Sequence, residues 1–202
     1  MDIPSRNRGG PAAVARSPEL FEEFYRRHVD AITRFMARRV DDPHTVADLT
    51  AEVFMAVIDS GHTYRAVLGS ERAWLYGIAR NTVSAERRRA VREAQAHGRV
   101  AGRRLLADDD IARLEDKLTT EGAGRRAMAA MDVLPEGERA VLELVAVDQL
   151  TVSEAAAALG LRQVTARVRL HRARRRLRDV AHPPAGNTTT ATTVTAYTGS
   201  KA

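Results

Sequence analysis

In the stretch QVTARVRLHRARRRL, residues 163 to 177, a basic side chain falls at nearly every second position: Arg167, Arg169, His171, Arg172, Arg174, Arg175 and Arg176. A charge run is by default a solvated helix face, but such faces usually mix signs to gain local pairing. Here no acid appears until Asp179. Like charges this dense repel one another unless an anion neutralises them. Arginine's planar fork also suits paired contacts to phosphates and guanine edges. The chemistry indicated is contact with nucleic acid.

Catalytic chemistry finds little support. The six histidines, His28, His44, His62, His97, His171 and His182, have no metal-ligand spacing. Neither a nucleophile elbow nor a phosphate-cradling glycine loop occurs. With no cysteine, disulfides, thiolate metal sites and cysteine nucleophiles are excluded, which fits a cytoplasmic protein. The expectation is a binding protein without enzymatic activity, cofactor, metal or small-molecule substrate. A net charge of +6 and a pI near 10.4 favour an anionic partner, nucleic acid before a membrane or protein surface. No apolar run reaches membrane-spanning length and the N-terminus lacks a signal-peptide core, so no membrane insertion is expected.

The elements that must carry the arginines are helical. Apolar residues make up 44% and aromatics 4% of the 202 residues, and the Ala-, Leu-, Val- and Arg-rich mix favours helices over sheets. Residues 1–16 read as a flexible arm. Ser17 and Pro18 then suit the cap and first turn of a long amphipathic helix, with Phe21, Phe24, Ile32, Phe35 and Met36 at three-to-four spacing. The run DDP, residues 41–43, breaks it. A second helix carries Val46, Leu49, Val53 and Val57, an irregular loop runs from His62, and Ser70 caps a third helix that is apolar early and arginine-rich late. Residues 96–130 read as a linker with one short helix at 111–118, and 182–202 as a disordered Thr-rich tail.

The second helical block, 131–181, gives the arginines their setting. Thr151 and Glu154 form a capping box, and Gly160 ends that short helix where a left-handed residue is wanted. The basic helix follows, with Ala166, Leu170, Ala173, Leu177 and Val180 as its buried stripe. Short helix, glycine turn and basic helix make a helix-turn-helix. The fold class is therefore all-α: two small helical domains, 17–95 and 131–181, joined by a long linker.

DLTAEVFMAVIDS (48–60) and RAWLYGIARNTVSAERRR (72–89) resemble region two of bacterial sigma factors of the extracytoplasmic-function (ECF) group of the sigma-70 family. The stretch from Leu134 to Leu177 resembles their region four. The resemblance implies core RNA polymerase and promoter DNA as partners, with an anti-sigma factor as a sequestering partner. Asp48, Glu52 and Phe54 match the element that docks on core polymerase, with Ala51 where the family has glutamine. Asn81 matches a base reader of the minus-ten element, beside a specificity loop at 62–70. Tyr64, Arg65, Trp74 and Tyr76 lie nearby, Trp74 serving equally well as core anchor or stacking platform. Arg87, Arg88 and Arg89 suit backbone contacts. Thr165, Arg167, Arg169, His171 and Arg172 match readers of the minus-thirty-five element, where Val164, Thr165 and Ala166 depart from the family's Gly-Thr-Val.

Extruding a base from the stack costs a few kcal/mol, and a stacking pocket returns roughly 1–3 kcal/mol per base. The implied function is thus an alternative sigma factor that melts promoters by binding energy alone. The rival reading is a stand-alone helix-turn-helix regulator whose N-terminal helices bind a ligand or dimerise.

Overall fold

A computed structural model describes residues 10–14, 16–95 and 108–181, and every regular element among them is helical. The first lobe is built from α1 (Pro11–Val14), α2 (Pro18–Ala37), α3 (Pro43–Ser60) and α4 (Glu71–Gln95). Local chemistry sets the boundaries. The Leu20 N–H donates to Ser17 Oγ at 3.4 Å and the Thr45 N–H to the Asp42 carboxylate at 2.8 Å, with Pro18 and Pro43 at the first helical positions. The expected apolar stripes meet in one core: Phe24, Ile32, Phe35 and Met36 of α2, Val46, Leu49, Val53, Phe54 and Val57 of α3, and Leu75, Tyr76, Ala79 and Val83 of α4. Each large side chain buried there contributes about 1.5–3 kcal/mol.

Two segments read as loose are in part built into this core. Residues 11–14 of the expected flexible arm form α1, whose Pro11 and Val14 are buried. The linker carries two helices where one was expected, α5 (Asp108–Thr120) and α6 (Gly122–Ala129). Leu114 and Leu118 of α5 pack on the first-lobe core, and Met128 of α6 is buried. Their three-to-four spacing with Ile111 is an apolar stripe that the surrounding charges and glycines obscure. The expected tail, 182–202, lies outside the described residues, as does 96–107.

The second lobe comprises α7 (Glu136–Leu142), a π-helical turn over Glu143–Val147, α8 (Val152–Ala158) and α9 (Gln163–Ala181). Its core joins Met131, Leu134, Val141 and Leu142 to Ala156, Ala166, Leu170 and Ala173. The α9 stripe ends earlier than expected, with Leu177 half-buried and Val180 62% exposed. The helix has outrun its partners there. The capping box at Thr151 and Glu154 is present on both arms, and Gly160 takes φ +63°, the left-handed turn that aims α9. The lobes are docked: Leu144, Leu150 and Ala155 of the second bury themselves in the first-lobe core.

Candidate nucleic-acid interface

The outer face of α9 is the more exposed of two basic surfaces. Arg167, His171, Arg172, Arg174 and Arg175 are exposed and have no acidic partner among the described residues. Arg176 is tied to Glu138 at 3.1 Å. Thr165 and Arg169 are half-buried, and Arg169 lies so close over α7 that a Cβ on Gly137 would meet its guanidinium at 3.1 Å. Val164 and Val168, 68% and 44% exposed, share the outer surface and were not anticipated as contacts. Exposed apolar groups among arginines suit a thymine methyl in a major groove. Their signal in the sequence is their place off the Ala166–Leu170 stripe.

The second surface runs along α4. Trp74, Asn81 and Arg88 recur every seven residues, so they share one face, about 10 Å apart step by step. Asn81, Arg87 and Arg88 are exposed; Arg89 is engaged locally by Glu86 at 2.9 Å and Glu93 at 3.8 Å. Trp74 is half-buried against the core with one edge on Tyr64, ring centroids 5.7 Å apart at 61°. It therefore anchors the loop whatever else it touches. The Tyr64 hydroxyl donates to the Gly69 carbonyl at 3.3 Å. Burial, then the Glu71 charge, push that hydroxyl's pKa up, so it stays a neutral donor. Tyr76 is interior, edge-on to Phe35 at 5.4 Å, and is no base platform.

The loop between α3 and α4 makes two tight 3-10 turns and leaves Arg65 exposed. It also leaves Val67 and Leu68 91% and 71% exposed, which the sequence reading missed. Glu71 fixes the base of this surface. It accepts from His28 Nε2 at 2.8 Å and from Arg27 at 3.2 Å. Burial pushes its carboxyl up, and those two partners outweigh burial and hold it below the ordinary carboxylate value.

A third surface, on α3, needs a correction. Asp48 and Glu52 are exposed, with Ala51, the 58%-exposed Met55 and Asp59 on the same face. Phe54, expected to share in docking, is 3% exposed and packed among Phe21, Phe24 and Tyr25 at 6.5, 6.3 and 4.7 Å. It continues the Val46–Val53–Val57 stripe, so it holds α3 in place and presents nothing. Met55 is the large apolar group on the outer face. Among the described residues no cluster of three or more metal-ligating side chains occurs, and no helix is long and apolar enough to cross a membrane.

The chain thus pairs a helical lobe bearing an aromatic loop with a basic helix-turn-helix, and comparison with known proteins places both in one family. The sigma-70 region 2 pattern matches residues 24–93 and the sigma-70 region 4 pattern residues 124–177. The chain is similar to the ECF RNA polymerase sigma factor SigE of Mycolicibacterium smegmatis, 32% identical over 79% of this chain and 60% of that protein. It is also similar to SigF of Caulobacter vibrioides, 29% identical over 72% of this chain and 75% of that one. A solved structure of CnrH in complex with the cytosolic domain of CnrY matches with TM-score 0.54 and 25% identity, covering 85% of this chain and 94% of that chain. The chain belongs to the ECF group of the sigma-70 family. Region 2 occupies the segment that the stand-alone regulator reading assigns to ligand binding or dimerisation, so that reading is not favoured. The chain spans about 60% of the length of SigE.

Proposed function

We propose that the chain is a promoter-specificity subunit of RNA polymerase with no catalytic step of its own. The observation that carries this is the pairing, in one chain, of an uncompensated arginine face on α9 with the Trp74–Asn81–Arg88 face of α4 beside an aromatic loop. In this reading α9 reads the minus-thirty-five element through Thr165, Arg167, Arg169, His171 and Arg172. Asn81, Tyr64, Arg65, Trp74, Arg87 and Arg88 hold the melted minus-ten element, with Val67 and Leu68 as added contacts. Asp48 and Glu52, joined by Met55 and without Phe54, dock on core polymerase. Such work takes place at the chromosome, in the cytoplasm. A sequestering partner is part of the proposal, supported by the likeness to CnrH, whose structure holds the cytosolic domain of a second protein.

Run-off transcription with core polymerase on pooled genomic promoter fragments tests the reading. Discrete start sites that depend on the protein are expected. Asn81→Ala should abolish opening while α9 contacts persist, and Arg167→Ala should weaken closed-complex binding by roughly 1–3 kcal/mol. No stimulation and no comigration with core enzyme would overturn it.

A further inference from the structure

A cavity of about 530 Å³ opens where the chain just past α2, the later half of α4, α6 and α7 converge, and six arginines line it. Two of them are committed to a buried ion cluster. Arg38 and Arg39 donate to the fully buried Asp148 carboxylate at 2.8 and 2.6 Å, and Arg38 also to Glu121 at 2.7 Å. The other four keep free donors. Arg87 and Arg126 are exposed and have no ion pair among the described residues. Arg125 meets Asp41 through Nε at 3.2 Å and donates through Nη1 to the Ala37 carbonyl at 3.0 Å. Arg139 meets Asp132 through Nη1 at 2.8 Å and Glu143 through Nε at 3.6 Å. That leaves Nη2 of both with no acceptor among the described residues.

The acids on the walls do not cancel this charge. Asp41, Asp132 and Glu143 line the cavity, but each already faces an arginine through the contacts just given, whereas Arg87 and Arg126 face none. A cleft with such a surplus of one sign focuses its field on a counter-ion. Arginine's planar fork meets phosphate oxygens in pairs. Donors standing on three elements, α4, α6 and α7, suit two phosphates in tandem better than one. A narrower recess lined by Arg80 and Ser84 adjoins the cavity through Arg87 and Arg139, which line both. The volume falls within the range of about 300–1,000 Å³ usual for pockets that take a whole small ligand, so a nucleoside can accompany the diphosphate. A DNA duplex, whose major groove alone is about 12 Å wide, is too broad to enter.

We propose that this cavity binds a small diphosphate, free or carried by a nucleoside, through Arg87, Arg125, Arg126 and Arg139. Arg87 is also among the groups assigned above to the melted minus-ten element, so the bound anion competes with promoter DNA for it. That consequence rests on the promoter reading; the site itself rests on the arginines.

Calorimetric titration of the full chain at physiological ionic strength tests the site, with pyrophosphate, ADP, GDP, inorganic phosphate and sulfate as probes. Saturable binding of one diphosphate per chain is expected, with phosphate and sulfate weaker by about tenfold or more. Pyrophosphate as tight as the nucleotides identifies free diphosphate as the ligand, and tighter ADP or GDP identifies a nucleotide; either upholds the site. Arg126→Glu, at an exposed position with no ion pair to break, should weaken diphosphate binding by about tenfold or more. Arg92→Glu, the same charge change on an exposed residue outside the cavity, should leave it unchanged. Arg126→Lys keeps the charge without the fork and should fall between. Should Arg126→Glu lose helical circular dichroism, Arg126→Lys decides. No diphosphate binding, equal affinity for sulfate, or equal loss in Arg92→Glu and Arg126→Glu overturns the site. On a promoter fragment found by run-off transcription, saturating diphosphate should weaken DNA binding by the native chain and not by Arg126→Glu. If diphosphate binds as expected and DNA binding is unmoved, the site stands and Arg87 is not a minus-ten contact.

Discussion

Phe54 and Glu52 stand two residues apart on α3 and face opposite ways. Phe54 closes an aromatic cluster in the core, so Phe54→Ala should cost about 3–5 kcal/mol of stability in chemical denaturation. Glu52→Lys, on the exposed face, should move stability by no more than about 0.5 kcal/mol and still weaken capture by core polymerase. If Glu52→Lys leaves capture intact, α3 is not the docking surface. Asn81 allows a similar separation. It is exposed on α4 with no partner among the described residues, so Asn81→Ala should leave the melting temperature unchanged while promoter opening is lost. Equal loss of stability and opening would make Asn81 a structural residue. Resemblance to the family grouped Phe54 with its neighbours, and only burial sets it apart.

Among the elements, α8 depends most visibly on local chemistry. Thr151 and Glu154 satisfy two helix-end donors reciprocally, so Thr151→Ala should cost about 1 kcal/mol. Gly160 at φ +63° has open space around its α-carbon, so Gly160→Ala fails through backbone strain alone, about 1–2 kcal/mol. These features were legible beforehand because cap, box and glycine turn are short-range patterns. So were the apolar stripes of α2, α3 and α9, whose period matches a helix buried on one side. What was not legible is long-range. Leu114 and Leu118 find a core that begins at Val14, about a hundred residues earlier, and α1 is fixed by packing against the 3-10 turn at Gly61–Thr63, α2 and α3. Sequence position also left the exposed Val67, Leu68, Val164 and Val168 unmarked, since an isolated valine reads alike inside and out. The candidate site was legible where charge had no counter-charge, as on α9.

On the scale of the whole molecule, the side-chain ion pairs and hydroxyl contacts between lobes and linker set arginine, lysine or serine against a carboxylate, beside arginine bonds to backbone carbonyls. Asp148 and Glu121 meet Arg38, Lys117 meets Asp30 at 2.8 Å, Arg125 meets Asp41 at 3.2 Å, and Ser70 meets Glu154. Protonation of the acids therefore acts on this seam before it acts on the apolar lobe cores. For Asp30, the Lys117 hydrogen bond and charge hold the carboxyl below its ordinary value. For Glu154, burial pushes upward, but the Thr151 donors, Ser70 and Arg72 outweigh it and leave the carboxyl lowered as well. A lowered folded-state pKa means the contact contributes in full above the unfolded carboxylate range near 4. It is lost as pH falls through the lowered value. Acidification from about pH 5 to about pH 3 should thus lengthen the distance between spin labels placed one on each lobe while helical circular dichroism persists. Salt should act differently. Half-molar sodium chloride, with a Debye length of roughly 4 Å, should weaken the exposed Asp30–Lys117 pair and leave the buried Asp148 cluster closed, so the lobes stay docked. Separation by salt alone would mean that the seam is held by surface charge. Simultaneous loss of helicity and docking in acid would mean that the two lobes do not hold their fold apart from one another.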